Sequence, residues 1–439
     1  MTLPAPRMAW LDRARLPARL AYVAILLLAT LTPFQADLSG EGIAFRLGRM
    51  FHPDLGNRDV IDGARNVVLF AGWGAVWALT AAADLRRILR DATLTGLLLS
   101  AAVESAQLLS SNRVASLVDI TTNTVGALAG AFGLLVLAAL ANDRRGAKSF
   151  VGIPTVYFAA SYSVAAWLEA VIPLFRHGTL VSVGGPAARM AAALDTLSFG
   201  NPLDLPWTDL LIFAPAGALA VAALNEHGVR YGPARIRVTA AGFLLALLAE
   251  FLHGPVGQPI VLGTALLHGL AIWLGAWAAA RWLSPLTVAL RGAGRVKAVT
   301  LWYVAVLAFW AWRPYLPEDQ LDAILAKLTG DWFIPLAALS ENTNFFSVVD
   351  VCAPFFLYLP LGALLAVWPW RMRGPLAGPL PGIWLAVGLE AGQLVVLGRF
   401  LDVTDILITS SGVLVGWAIF RRAGYRVYGE VFPAGAGRN

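Results

Sequence analysis

The sequence predicts an all-α, polytopic transmembrane helical bundle of about twelve spans, and three observations carry that prediction. Hydrophobic residues make up 58% of the chain, charged residues only 14%, and the mean hydropathy is +0.68. A soluble domain carries about 25% charged residues, so this composition belongs to a membrane protein. The 439 residues resolve into repeated apolar runs near the ~20 residues that cross a ~30 Å hydrocarbon core. These runs lack period-two alternation, so helices and not a closed barrel must satisfy the backbone in lipid.

The N-terminal segment MTLPAPRMAWLDRARLPAR is like the charged start of a signal peptide. The run after it has no small-residue cleavage site before Pro33, and further spans follow, so it is expected to stay as an uncleaved first helix. The spans fall at roughly 18–34, 65–83, 92–110, 120–140, 152–174, 208–224, 238–253, 259–280, 298–312, 351–368, 378–397 and 403–420. They group as three sets of four, giving units at 1–147, 148–296 and 297–439. Each set opens with one span, continues through a loop of roughly thirty residues, and closes with three spans in quick succession.

Basic residues test this count independently. Of the 33 lysines and arginines, 23 fall in segments that the count places on one side. They include Arg86, Arg87 and Arg90; Arg144, Arg145 and Lys148; Arg230, Arg235 and Arg237; and Arg371 and Arg373. The positive-inside rule puts that side, and both termini, in the cytoplasm of a multi-pass inner-membrane protein. The net charge of +6 and pI of about 9.7 follow from this asymmetry and call for no nucleic acid. Even-numbered units all enter the membrane in the same direction, so an axis near the membrane normal should relate them.

Two distant stretches carry the same polar pattern. Glu104, Gln107, Arg113, Asp119, Gly126 and Gly130 recur as Glu390, Gln393, Arg399, Asp405, Gly412 and Gly416, every pair 286 positions apart. The chain is therefore an internal duplication. Glu104 and Gln107 share a helix face near the end of the third span. Arg113 lies in the hairpin and Asp119 opens the next span, all on the extracytoplasmic side. The second copy adds Asp402 where the first has Ser116. Asp62 with Asn66, and Asp350 with Pro354, stand at the same end of the second span of each set. The middle unit has drifted: Asp209, Phe213 and Gly217 echo Asn66, Phe70 and Gly74, and Glu250 with His253 echoes Glu104 with Gln107. No aspartate follows there; the polar residues are Thr264 and His268.

Carboxylates at span ends need partners, and arginine is the natural one because its fork bonds a carboxylate in two places. One expectation is a structural clamp closing the hairpin. The sharper one is a polar pocket for an anionic or sugar-bearing envelope molecule. A divalent cation on Glu390, Asp402 and Asp405 is chemically allowed, but nothing fixes a coordination geometry, so no metal and no cofactor are assigned. Gly126 with Gly130, and Gly412 with Gly416, are small-xxx-small pairs expected to pack closely on a neighbouring helix. Cys352 is the only cysteine, which excludes an internal disulfide. The five histidines have no zinc-ligand spacing.

The order Asp/Asn, Phe-x-x-x-Gly, Glu-x-x-Gln, Arg, Asp and Gly-x-x-x-Gly resembles the VanZ-like family of bacterial membrane proteins. The matching stretches are NVVLFAGWG, VESAQLLSSNRVASLVDITTNTVGALAG, PFFLYLPLG and LEAGQLVVLGRFLDVTDILITSSGVLVG. The last holds the family's Arg-x-x-Asp-x-x-Asp run as Arg399, Asp402 and Asp405, while the usual asparagine of the last span is Asn123 in the first copy and Thr409 in the third. The resemblance covers the first and third units and implies a setting in the cell envelope, where the namesake is associated with glycopeptide resistance. It supplies no reaction.

Together these lead to an integral envelope protein that binds or acts on a glycan or lipid intermediate at the extracytoplasmic face, with membrane lipids as its other partners. Rival functions are a transporter or flippase for such a molecule, and a membrane enzyme using the motif carboxylates. A transporter should bury ionisable groups near mid-membrane, and no nucleophile–base pair is visible for an enzyme, so the sequence assigns no reaction, substrate or oligomeric state.

Overall fold

The structure is a computed structural model that describes residues 9–31, 35–51, 57–81, 84–111, 115–143, 152–171, 186–256, 258–289, 293–328, 346–368 and 377–431. Among the described residues there are fifteen helices, no strand, and three isolated β-bridges. In chain order the first five helices are α1 (Ala9–Leu31), α2 (Gly40–Met50), α3 (Asn57–Thr80), α4 (Leu85–Gln107) and α5 (Leu117–Ala141). Next come α6 (Thr155–Val171), α7 (Pro186–Asp195), α8 (Asp209–Glu226), α9 (Tyr231–Phe251) and α10 (Leu262–Ala289). The last five are α11 (Ala293–Ala311), α12 (Leu321–Ala326), α13 (Phe346–Ala366), α14 (Leu380–Gly392) and α15 (Val403–Val431).

A helix stands at every apolar stretch named from sequence, and among the described residues five are long and apolar enough to cross a membrane. These are Leu117–Ala141, Asp209–Glu226, Leu262–Leu283, Gly294–Ala311 and Val403–Arg421. Several helices begin earlier than the hydropathy suggests. α4 starts at Leu85, seven residues before the expected 92, because Asp84 accepts the N–H of Arg87 at 2.8 Å and starts the helix in polar sequence. Hydropathy finds where lipid begins, not where a capped helix does. Large apolar side chains such as Leu98 (69% exposed) and Trp384 (67%) face outward, as a lipid-facing surface requires.

The long connections between apolar runs also contain helices. α2, α7 and α12 are too short and too mixed in polarity for a search for apolar runs. Ser39 caps α2 by accepting the N–H of Gly42 at 3.2 Å.

The chain divides into two compact units, residues 1–139 with 336–348, and residues 140–335 with 349–439. In the first unit α3 and α5 touch backbone to backbone. A Cβ on Gly130 would sit 1.8 Å from the carbonyl oxygen of Ala71, and one on Gly74 1.9 Å from that of Ala127. Only small residues permit this approach. Phe70, fully buried, fills the space beside Leu26, Trp73 and Ala127.

The second unit contains the same crossing twice. α8 meets α10 at Gly217 and Gly275, where an added Cβ would lie 2.1 Å from the Ile272 oxygen and 1.8 Å from the Ala214 oxygen. α13 meets α15 at Gly362, Gly412 and Gly416, against the carbonyls of Val413, Phe355 and Leu359. Aromatic contacts bind these two helix sets within the unit: Tyr157 packs on Phe420 at 5.0 Å, and Phe158 on Tyr303 at 4.7 Å. Trp310 Nε1 donates to the Tyr162 hydroxyl at 3.1 Å, which itself donates to the Ile212 carbonyl at 2.7 Å.

Candidate functional site

Each helical hairpin that carries a motif glutamate is closed in the same way. Glu104 Oε2 accepts the backbone N–H of Ser116 at 2.9 Å, and Glu390 Oε1 accepts that of Asp402 at 3.2 Å. In the middle stretch Glu250 Oε1 accepts the N–H of Val261 at 2.8 Å. All three carboxylates are buried, at 2%, 6% and 4% exposure. The first N–H groups before and inside a helix have no intrahelical acceptor. A carboxylate reaching across the hairpin supplies one, and the positive end of the next helix favours its charge.

The spacing points to arginine and aspartate partners; the backbone donor is an addition to them, supplied because a hairpin brings the next helix start against the end of the previous helix. Asp405, Asp402 and Arg399 still act electrostatically on Glu390, and Asp119 on Glu104. Arg113 lies outside the described residues, and so do the side chains of Asp62 and Asp350.

The residue beside each glutamate varies in its partner. Gln393 Nε2 donates to Glu390 Oε2 at 2.8 Å, and His253 Nδ1 lies 3.2 Å from Glu250 Oε1. Gln107 instead donates to the Thr30 carbonyl at 3.1 Å. Ser116 and Asp402 turn out to be chemically matched. Ser116 Oγ accepts the N–H of Val118 at 3.1 Å, and Asp402 Oδ1 that of Thr404 at 2.7 Å. Both are helix caps, a task that serine and aspartate share.

Beyond the clamp, Asn66 Nδ2 donates to Asp119 Oδ1 at 2.8 Å, joining α3 to α5. Asn123 donates to Ser100 Oγ at 2.9 Å, and its buried Oδ1 has no hydrogen-bond partner among the described residues. The middle stretch keeps this α3–α5 link in altered form. Asp209 stands where Asn66 does, and its Oδ2 lies 2.8 Å from Nε2 of His268, whose ring stacks on Phe213 at 4.0 Å. The third copy has Pro354 at that place, and Thr409 Oγ1 donates to the Asp405 carbonyl at 2.7 Å.

Two further groups of residues stand outside the repeated motif. In the first, Arg46 of α2 donates Nε to the Leu108 carbonyl at the end of α4 (2.7 Å) and pairs with Asp37 at 2.7 Å. Lys327, just after α12, donates to the carbonyls of Leu394 and Val396 at 3.1 and 2.9 Å, and lies 3.5 Å from Glu318. The backbone bonds match too: Asp37 N–H to Leu109, and Glu318 N–H to Val395, each at 2.9 Å. A cation on the last carbonyls of a helix complements its negative end. The signal was present, as an acid and a base nine residues apart in the first long loop of each copy. Outside the apolar spans, hydrogen bonds from Arg46 and then Ser39 hold the Asp37 carboxyl down at about 2.

The second missed group lies in the second unit. Arg313 Nη2 bonds Glu169 Oε1 at 2.9 Å, and Nη1 lies 3.7 Å from Asp209 Oδ1. With His268 this makes four ionisable side chains from four segments, none more than 14% exposed. The motif residue Arg399 donates Nε to the carbonyl of Arg313 at 2.8 Å, so the third copy's polar set abuts the middle one. Glu169 and Arg313 repeat nothing in the first copy, so no offset could reveal them. Among the described residues no three His, Cys, Asp or Glu side chains are grouped to hold a metal ion.

No curated protein and no solved structure matches the chain. The VanZ/LLP1 family matches it at residues 17–140 and again at 299–424, the two stretches that contain the Glu104 and Glu390 hairpins. With its motif glutamates, caps and glycine crossings in both matched stretches, the chain belongs to the VanZ/LLP1 family of membrane proteins and carries that family's unit twice.

Proposed function

We propose that this chain is a multi-pass protein of the bacterial inner membrane whose hairpins hold a cell-envelope lipid or glycan intermediate at the extracytoplasmic face. In this account it has twelve spans in three four-helix units, at 1–147, 148–296 and 297–439, with both termini in the cytoplasm. The recurrence of the glutamate bond at Ser116, Val261 and Asp402 supports three units. The basic segments support the orientation.

One observation carries the functional part. Asp119, Asn66, Arg399 and Asp405 stand together with the clamps at the hairpin ends, where Asn66 donates to Asp119 and Arg399 to the Arg313 carbonyl. The guanidinium suits a phosphate oxygen, and the carboxylates and amide suit the hydroxyls of a sugar. Arg113, Asp62 and Asp350 belong to the same set by sequence position. Native mass spectrometry of the purified protein tests this. The native chain should retain an envelope lipid, and Asp119→Asn or Asp405→Asn protein should fold yet lose it. Folded native protein that retains none, or variants that retain it fully, would contradict the proposal.

A further inference from the structure

The opposite end of the first unit holds a second charged feature. α4 opens on a groove of about 640 Å³ lined by Asp84, Leu85, Arg86, Arg87 and Arg90. Glu104 lies eighteen residues further along α4, about 27 Å away at 1.5 Å per residue, so the groove is separate from the hairpin set. The acid that lines it, Asp84, and the neighbouring Asp91 are both engaged. Asp84 caps the helix through the N–H of Arg87 at 2.8 Å, and Asp91 pairs with Arg90 at 2.9 Å and Arg87 at 3.7 Å. Arg87 and Arg90 nonetheless remain two-thirds exposed, at 66% and 65%. Arg86 is exposed too, and has no acidic partner among the described residues.

Further cations stand at the same end. Arg19 of α1 lies 3.6 Å over the Trp77 ring, donates to Thr80 Oγ1 at 3.1 Å, and acts electrostatically with Arg15 and Asp91. Among the described residues, Arg15 and Arg19 of α1 thus add to the three arginines of α4 at this end. Apolar side chains continue from this patch: Leu85 is 50% exposed, Leu20 59% and Leu16 65%. Cationic forks next to outward-facing leucines match a molecule with a phosphate at one end and acyl chains at the other.

We infer that this groove binds the phosphate headgroup of an anionic phospholipid, with Arg86, Arg87 and Arg90 on the phosphate and Leu85 against the start of the chains. Guanidinium forks fit phosphate oxygens in pairs, and basic residues at a membrane surface each strengthen anionic-lipid binding by about fivefold. The assignment does not depend on what the hairpins bind.

The test places the full chain in nanodiscs of phosphatidylcholine, and of equal parts phosphatidylcholine and phosphatidylglycerol, and counts retained lipids by native mass spectrometry. The native chain should retain phosphatidylglycerol in preference to phosphatidylcholine. Arg86→Gln/Arg87→Gln/Arg90→Gln should weaken that retention at least about tenfold, while the charge-matched Arg230→Gln/Arg235→Gln/Arg237→Gln should keep it. Equal losses in the two variants would mean diffuse surface charge and would overturn the site, as would full retention by the first. Inorganic phosphate binding to the lipid-free protein as tightly as the lipid does would assign the groove to free phosphate instead. Should the triple variant fail to fold, Arg86→Gln against Arg235→Gln carries the comparison with an expected loss of about fivefold, because Arg86 has no folding contact among the described residues.

Discussion

Glu250 accepts the backbone N–H of Val261 at 2.8 Å, in a stretch that lies between the two family matches. The bond is the same one that Glu104 makes to Ser116 and Glu390 to Asp402. Its first consequence concerns stability. Replacing any of the three glutamates by alanine leaves a buried N–H without an acceptor, which costs about 1–3 kcal/mol. Thermal unfolding in detergent should show similar losses for Glu104→Ala, Glu250→Ala and Glu390→Ala, with glutamine, which keeps an oxygen acceptor, milder at each site. An unaffected Glu250→Ala protein would remove the middle stretch from the pattern.

The sequence alone suggests that changes in the third copy should harm function more than those in the first, because Ser116 lacks the acid of Asp402. The caps revise where that difference should fall. Both residues accept an N–H two positions on, so the copies are matched in structure and differ in the charge offered beyond it. Activity differences are therefore expected at Arg399, Asp402 and Asp405, and not at the glutamates.

Arg46 and Lys327 hold the short helices against the hairpins, so Arg46→Met and Lys327→Met should each destabilise by about 1–3 kcal/mol. The first copy adds a pH dependence. The Asp37 carboxyl is held at about 2, below its ordinary 3.8, chiefly by Arg46. A depressed carboxylate contributes stability that is present above the ordinary value and is lost as pH falls through the depressed one. Thermal melts between pH 5 and pH 2 should therefore fall more steeply for the native chain than for Asp37→Asn.

Arg313 neutralises Glu169 and faces Asp209. Arg313→Met leaves two buried carboxylates without their guanidinium, and removing one partner of a buried pair costs about 3–5 kcal/mol. Adding Glu169→Gln should recover part of that loss. A double-mutant cycle that comes out strictly additive would show that the two side chains do not interact.

The glycine crossings predict a sharp contrast on one helix. Gly130→Ala places a methyl 1.8 Å from the Ala71 oxygen and must push α3 and α5 apart, whereas a Cβ at Gly133 meets nothing within 4 Å. Gly130→Ala should lower the melting temperature. Gly133→Ala should leave it unchanged or raise it, by up to about 1 kcal/mol of stability, since alanine favours helix.

The parts of the fold legible in sequence were those set by lipid and by repetition. Apolar runs located the helices, and a constant offset of 286 picked out Glu104 with Glu390 and the packed glycines. Helix starts such as Leu85 were missed because a cap needs one polar side chain and no apolar run. Arg46 and Lys327 are not marked in the sequence because they sit in the long connections between apolar runs, where a different offset of 281 applies and no hydropathy signal draws attention. The backbone donor to each glutamate is invisible in sequence for a deeper reason. Spacing shows which side chains share a helix face, but a backbone N–H is present at every residue and leaves no trace in the sequence.

The central claim is that the clamped hairpins and their remaining polar side chains face the outside of the cell. Thiol labelling in intact cells tests it most directly, in protein whose single cysteine is removed by Cys352→Ser. Gly398 has φ +72° and tolerates a side chain poorly, so the reporters are Ser111→Cys and Leu397→Cys at the two hairpins, with Gly232→Cys at the opposite end. A membrane-impermeant maleimide should label the first two in intact cells and the third only after the membrane is opened. Labelling of Gly232→Cys alone in intact cells would reverse the orientation and contradict the account.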